Sequence, residues 1–285
     1  MNNMKLCPVN ITNFKIDGGA MFGVVPKVLW EKNYPADKNN LCNWALRSLL
    51  IDTGSRIVLI DNGFGEKQSG KFMSRFHLNQ NRGLENALED LGYSATDITD
   101  MLITHLHYDH CGGGVKYNSR GTGFELTFPN ATYWVGLSQW ESAMNPNSRE
   151  KDSFLRENLM PMKESGQMEL IDNDRELLPG VSVRIFNGHT SGQLIPFIRK
   201  NGITIVFTAD LIPSTAHIPL PYIMSYDMRP EETLREKESF LDEAERNGYI
   251  LFFQHDLYNE CCTLEKTSKG IRAGKTFSLL EKFTD

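Results

Sequence analysis

Short apolar runs of strand type alternate along this chain with a few longer amphipathic stretches. Residues 44–51 and 56–60 read as strands joined by the turn Asp52-Thr53-Gly54-Ser55. Leu84, Ala87, Leu88 and Leu91 recur at helical spacing, which predicts a helix over 83–91 with Gly92 just past its end. Residues 98–104, 131–135, 167–171, 181–186 and 249–253 each read as a strand. Residues 194–199 and 203–208 read as a hairpin around Asn201-Gly202. A helix is expected over 137–159, broken near Asn145-Pro146-Asn147, and a second from Pro230 to Arg246. A last short helix is expected over 275–283. Residues 14–30 mix three glycines and a proline with bulky apolar residues, and read as an apolar loop. Hairpins outnumber strand–helix–strand crossovers, so two sheets with outer helices fit better than one doubly wound parallel sheet.

Composition narrows the class. The 285 residues carry a net charge of −6, which argues against a nucleic-acid partner. No apolar run has the length of a bilayer span or of a signal-peptide core, so no membrane partner is expected. Five cysteines without repeated spacing read as reduced thiols and place the expected location in the cytoplasm. No repeat or linker divides the chain, so 1–285 is expected to be a single domain.

The chemistry concentrates in His105-Leu106-His107-Tyr108-Asp109-His110, followed by Cys111-Gly112-Gly113-Gly114. Three imidazoles and a carboxylate follow a strand, and the glycines then let the chain turn sharply. Such donors suit zinc and other borderline divalent ions. Four of them in one loop suggest two ions. Further candidate donors follow other expected strands: His189, Asp210 and His255. If those strand ends share one edge of a sandwich, the donors converge. His77 has no partner motif and reads as structural. Cys111 reads as a small residue packed behind the loop.

His105-x-His107-x-Asp109-His110, with Gly188-His189-Thr190, Ala209-Asp210 and a late His255, resembles the motif set of the metallo-β-lactamase-fold hydrolases. Residues 17–27 and 209–217 are also similar to the quorum-quenching N-acyl homoserine lactonases of that superfamily. The resemblance implies a four-layer αββα sandwich of α/β class, with a dinuclear metal site at one edge of the sheets. It implies that His105, His107 and His189 hold a first ion and that Asp109, His110 and His255 hold a second. Asp210 would bridge them, and Asp61 would brace the metal loop from behind. Zinc is the first expectation for both ions, with Fe, Mn or Co as alternatives. Gln193 stands where many relatives have a second histidine. No tyrosine follows Asp210 as it does in some lactonases.

The activity so implied is lactone-ring opening by attack of a metal-bridging hydroxide, with Asp109 and Asp210 as the catalytic carboxylates. A phosphotriesterase or aryl-ester hydrolase is the alternative, and a non-catalytic metal-binding sensor a third. The expected partner is a small ester or lactone, and a homodimer is the expected assembly. Met21, Phe22, Trp30 and His217 are the expected substrate contacts.

Overall fold

The computed structural model describes residues 4–79 and 82–283. In the first half of the chain, β1 (Lys5–Asp17) is followed by two short helices, α1 (Gly18–Phe22) and α2 (Lys27–Trp30). Next come β2 (Leu41–Asp52), β3 (Ile57–Ile60), α3 (Gly70–Met73), α4 (Leu84–Glu89) and β4 (Asp100–Leu102). The one-turn helix α5 (Tyr108–Cys111) leads into a hairpin of β5 (Val115–Tyr117) and β6 (Phe124–Leu126). Then follow β7 (Thr132–Gly136), α6 (Leu137–Met144), α7 (Arg156–Glu164) and β8 (Met168–Ile171). These strands build a sheet of order β1-β2-β3-β4-β7-β8.

The second half contributes β9 (Arg175–Leu178), β10 (Val181–Phe186), β11 (Gln193–Lys200) and β12 (Ile203–Phe207). It continues with α8 (Pro230–Arg246), β13 (Ile250–Phe252), β14 (Cys261–Thr267), β15 (Gly270–Phe277) and α9 (Leu279–Phe283). Its sheet has the order β15-β14-β13-β12-β11-β10-β9.

Period-two alternation explains how the sheets stack. Leu49, Ile51, Val58 and Ile60 enter one buried cluster with Val183, Leu194, Ile195, Ile205 and Phe207 of the other sheet. Leu50 and Leu59, between them in sequence, enter a second cluster with Leu88, Trp140 and Leu159 of the helices. Phe240, Leu241 and Ala244 of α8 cover the far face of the second sheet. Helices therefore lie outside two face-packed sheets, the αββα order.

Four local expectations change. The helix expected over 137–159 with a short break is α-helical only over Leu137–Met144 and Arg156–Glu164. Residues 14–30 are not a loop: they finish β1 and form α1 and α2, with the Asp17 side chain accepting from Ala20 N to cap α1. The last helix is confined to Leu279–Phe283, because residues 270–277 pair with β14. β1 and the β14–β15 hairpin, which the apolar pattern does not announce, lie at sheet edges and are half exposed. No helix among the described residues is long and apolar enough to cross a membrane.

Parallel pairing sets the position of the site. β3 runs parallel to β4, and β12 parallel to β13. Their C-terminal ends therefore open on the same side. Asp61 follows β3, residues 105–110 follow β4, Asp210 follows β12 and His255 follows β13.

Candidate metal centre

The loop after β4 is held from behind before it presents any donor. A Cβ on Gly112 would collide with the Phe64 carbonyl, and one on Gly113 with that of Asn62. Only glycine lets these two backbones touch. Lys67, 7% exposed, donates to the carbonyls of Gly112 and Val115, and its burial pulls the amine down to about 8. Asp61 accepts from Thr104 N and Thr104 Oγ1, both at 2.7 Å. Asp61 and Ala209 both adopt positive φ, 56° and 41°. Such backbone is costly outside glycine and tends to occur where a site dictates it.

Three overlapping sets of donors result. His105, His107 and His189 form one, His105, His110 and Asp210 another, and Asp109, His110 and His255 a third. Within each set the donor atoms lie within 4.8 Å of one another. Asp210 stands between them. Its Oδ2 is 3.3 Å from His189 Nε2 and 3.9 Å from His105 Nε2, while its Oδ1 is 3.3 Å from His255 Nε2 and 3.6 Å from His110 Nε2. Asp109 Oδ2 lies 3.6 Å from His110 Nε2.

The far side of each ring fixes its tautomer. His110 Nδ1 faces Asp61 at 2.9 Å, His189 Nδ1 faces Asp227 at 2.8 Å, and His107 Nε2 faces Glu150 at 3.2 Å. His255 Nδ1 donates to the Ala45 carbonyl at 3.0 Å. Each acceptor draws the ring proton outward and turns a lone pair inward. Lone pairs then confront each other: His107 Nδ1 and His189 Nε2 at 3.2 Å, His110 Nε2 and His255 Nε2 at 3.4 Å. His105 Nε2 and Asp210 Oδ1 are buried without a hydrogen-bond partner. Facing lone pairs and orphaned donor atoms are a poor hydrogen-bond network and a good cation cradle, so the residues fit divalent metal.

Charge balance points the same way. Burial holds His105 well below the usual imidazole range, and its histidine neighbours add to the effect. Burial also lowers His107, against the pull of Glu150. Burial opposes charge on His110 and His189 too, but Asp109 and Asp210 raise the first well above its usual value, and Asp210 and Asp227 raise the second. Burial alone would raise Asp210, yet His110, His189 and His255 hold it well below the carboxylate range. Asp210 therefore draws positive charge, which protons on His110 and His189 or a cation between the rings can supply.

A cavity of about 170 Å³ opens over the cluster, with His107, Asp109, His189, Asp210 and His255 in its floor. Phe14, Ile16, Met21, Phe64, Phe76 and Tyr108 form much of its apolar wall, and Met224, Tyr226 and Met228 another part. Arg149, Glu150 and Ser153 bring polar groups to one side.

Of the four expected substrate contacts, Met21 alone lines this cavity. Phe22 and Trp30 are 0% and 1% exposed and stack on each other at 4.9 Å. His217 stacks on Phe22 at 4.5 Å, donates from Nε2 to Met21 O at 2.9 Å and pairs through Nδ1 with Ser214 Oγ at 2.7 Å. Burial lowers it to about 3. These three form the packed base beneath the wall rather than the wall itself, because α1 turns only its Met21 face toward the metal loop. His77 is exposed and outside the site. Cys111 is buried, and its thiol donates to Leu106 O.

Sequence reasoning missed Glu150, Asp227 and the cavity residues of 221–228. Glu150 and Asp227 sit in irregular segments with no periodicity or motif to mark them, and only their burial at 2% each sets them apart.

Residues 47–121 match the family model of the metallo-beta-lactamase superfamily. An N-acyl homoserine lactonase of Bacillus thuringiensis is 23% identical over 233 residues, spanning 77% of this chain and 84% of that protein. Among solved structures, a probable metal-dependent hydrolase from Staphylococcus aureus superposes with a TM-score of 0.87 at 29% identity, covering 98% of this chain and 99% of that one. AidC, a dizinc quorum-quenching lactonase in complex with a product, superposes with a TM-score of 0.77 at 20% identity, covering 98% and 96%. The chain has the metallo-β-lactamase fold, and the segment that carries residues 105–110 matches the model of that superfamily.

Proposed function

We propose that this chain, a metal-dependent hydrolase of the metallo-β-lactamase superfamily, opens the lactone ring of N-acyl homoserine lactones or related lactones at a dinuclear centre. The observation that carries the reading is Asp210, whose two carboxylate oxygens turn to different histidine pairs: Oδ2 toward His105 and His189, Oδ1 toward His110 and His255. On this reading His105, His107 and His189 hold one ion, Asp109, His110 and His255 the other, and Asp210 both. Zinc is the proposed metal, 1–285 the hydrolase domain, and the cytoplasm its location.

When bound, such ions supply an acidified water and Lewis-acid polarisation of the ester carbonyl. The chain's own residues supply the rest. Asp61, Asp227 and Glu150 keep the imidazole lone pairs turned inward. Asp109, at the cavity floor, takes a proton on its carboxylate and passes it to the ring oxygen that leaves. Phe14, Phe64, Met21 and Met224 exclude water and offer apolar surface to an acyl chain. The naming of similar proteins as N-acyl homoserine lactonases supports the choice of substrate.

A substrate panel on metal-quantified protein tests this. Hydrolysis of an acyl homoserine lactone is expected to exceed that of an aryl phosphotriester, an aryl ester and a thiolester. Fast triester hydrolysis with the lactone left intact would replace the proposal with a phosphotriesterase. Fewer than two ions per chain and no hydrolysis of any ester would replace it with a metal-binding sensor.

A further inference from the structure

We infer that Glu150 is a positioning residue that ties one wall of the cavity to the metal position of His107 and His189. The inference rests on the metal-centre part of the proposed function and not on the choice of substrate.

Glu150 lies in the irregular segment 145–155 between α6 and α7, yet it is 2% exposed. A carboxylate at that depth is costly unless well paired. Its own segment offers little: Asn147 Nδ2 reaches Oε2 at 3.4 Å, and Asn147 Oδ1 accepts from Glu150 N at 3.0 Å to shape the turn. The stronger partners belong to the metal cluster. One oxygen, Oε1, faces His107 Nε2 at 3.2 Å and also accepts from Thr190 Oγ1. Thr190 is the residue after His189. A single carboxylate oxygen thus touches the back of one candidate ligand and the neighbour of another.

Its effect on His107 is specific. His110, His189 and His255 each turn Nε2 inward, whereas His107 turns Nδ1 inward, 3.2 Å from His189 Nε2. Glu150 keeps the proton on the opposite nitrogen. Without it, nothing on the far side holds the proton on Nε2, and the Nδ1–H tautomer, which presents N–H where a lone pair is needed, becomes accessible.

The same segment forms part of the cavity. Arg149, Glu150 and Ser153 line it, and the Phe154 ring packs 5.4 Å from the His107 ring. Arg149 donates to Ser225 O across the mouth. Ligand and wall therefore share one anchor, so filling that metal position orders the wall, and loosening the anchor weakens both.

The test is chelator-competition titration of zinc into the full chain, with limited proteolysis of segment 145–155 in the presence and absence of zinc. Glu150→Ala is expected to lose about 10- to 100-fold in affinity for one of the two ions and to leave the other unchanged. Its wall segment should be cleaved at the zinc-free rate even with zinc present. Glu150→Gln keeps an acceptor for His107 and should fall between the two proteins. If Glu150→Ala does not fold, Glu150→Gln and Thr190→Val carry the test, each expected to weaken one ion selectively. Wild-type affinity for both ions, or equal weakening of both, would overturn the assignment. Failure of the lactone assay would leave this titration untouched, so the two proposals fail separately.

Discussion

His110 Nε2 and His255 Nε2 face each other at 3.4 Å with their ring protons held on the opposite sides by Asp61 and the Ala45 carbonyl. Two inward lone pairs at this separation repel unless a cation or a shared proton lies between them. The His107–His189 pair repeats the arrangement at 3.2 Å, and Asp210 lies beside both.

Asp210→Ala removes the carboxylate that faces both histidine pairs. Metal content measured by mass spectrometry should drop below two ions per chain. Hydrolysis should fall by about a thousandfold or more, the scale of losing an electrostatic element of a transition state. Full activity with both ions retained would contradict the bridging role.

Asp61 serves His110 and Thr104 together, so its loss should register twice. Asp61→Ala is expected to weaken metal binding by about 10- to 100-fold in chelator competition. It should also lower unfolding free energy by about 1–3 kcal/mol, because the buried Thr104 N loses its acceptor. A variant with unaltered affinity and denaturation midpoint would show that Asp61 braces nothing.

Base and wall of the cavity should respond differently. Phe22→Ala empties a site sealed by Trp30 and His217 and should cost about 3–5 kcal/mol of stability. Its ranking of substrates by acyl length should stay as in the wild type. Met224→Ala enlarges the cavity itself and should shift kcat/KM toward longer acyl chains by about tenfold. A reversed pattern would return Phe22 to the substrate wall.

Lys237 offers a pH test away from the metal ligands. It is fully buried on α8 and donates to the carbonyls of Pro219, Leu220 and Tyr222, at the start of the segment that carries Met224 and Tyr226. Burial lowers the amine from 10.5 to about 7. The unfolded chain therefore holds more protons between those values, and stability should rise with pH across that window. Below about 7 both states are charged and the burial cost is constant. One lysine exchanges at most one proton, so the slope is bounded above by about 1.4 kcal/mol per pH unit. Urea unfolding at several pH values should show the slope in the wild type and lose it in Lys237→Met. Parallel pH profiles for the two proteins would refute the shift.

Much of the architecture is legible in the residues because local physics dictates it. Pro230 at the first turn and Gly248 beyond the end bound α8 from Pro230 to Arg246, as its spacing predicts. The alternation of Leu49, Leu50 and Ile51 announces a strand buried on both faces. Edge elements are less legible. β1 interleaves Asn10, Thr12, Asn13 and Lys15 with its apolar residues, and β15 has no fully buried position. β1 pairs with β2 across more than twenty residues of chain and β15 with its hairpin neighbour β14, so packing context rather than an apolar pattern of their own marks them as strands.

The chain by itself determined which residues could be donors, since imidazole and carboxylate are chemistry written in the side chain, and the dense loop 105–110 is hard to explain otherwise. Tertiary structure alone decided what those donors do. The outward partners Glu150 and Asp227 are 43 and 38 residues from the histidines they orient, and neither separation has a period or motif. Phe22, Trp30 and His217 look like a substrate wall in sequence, yet they lie beneath it. Apolar character says that a residue leaves water, and only packing says whether it meets the core or the cavity.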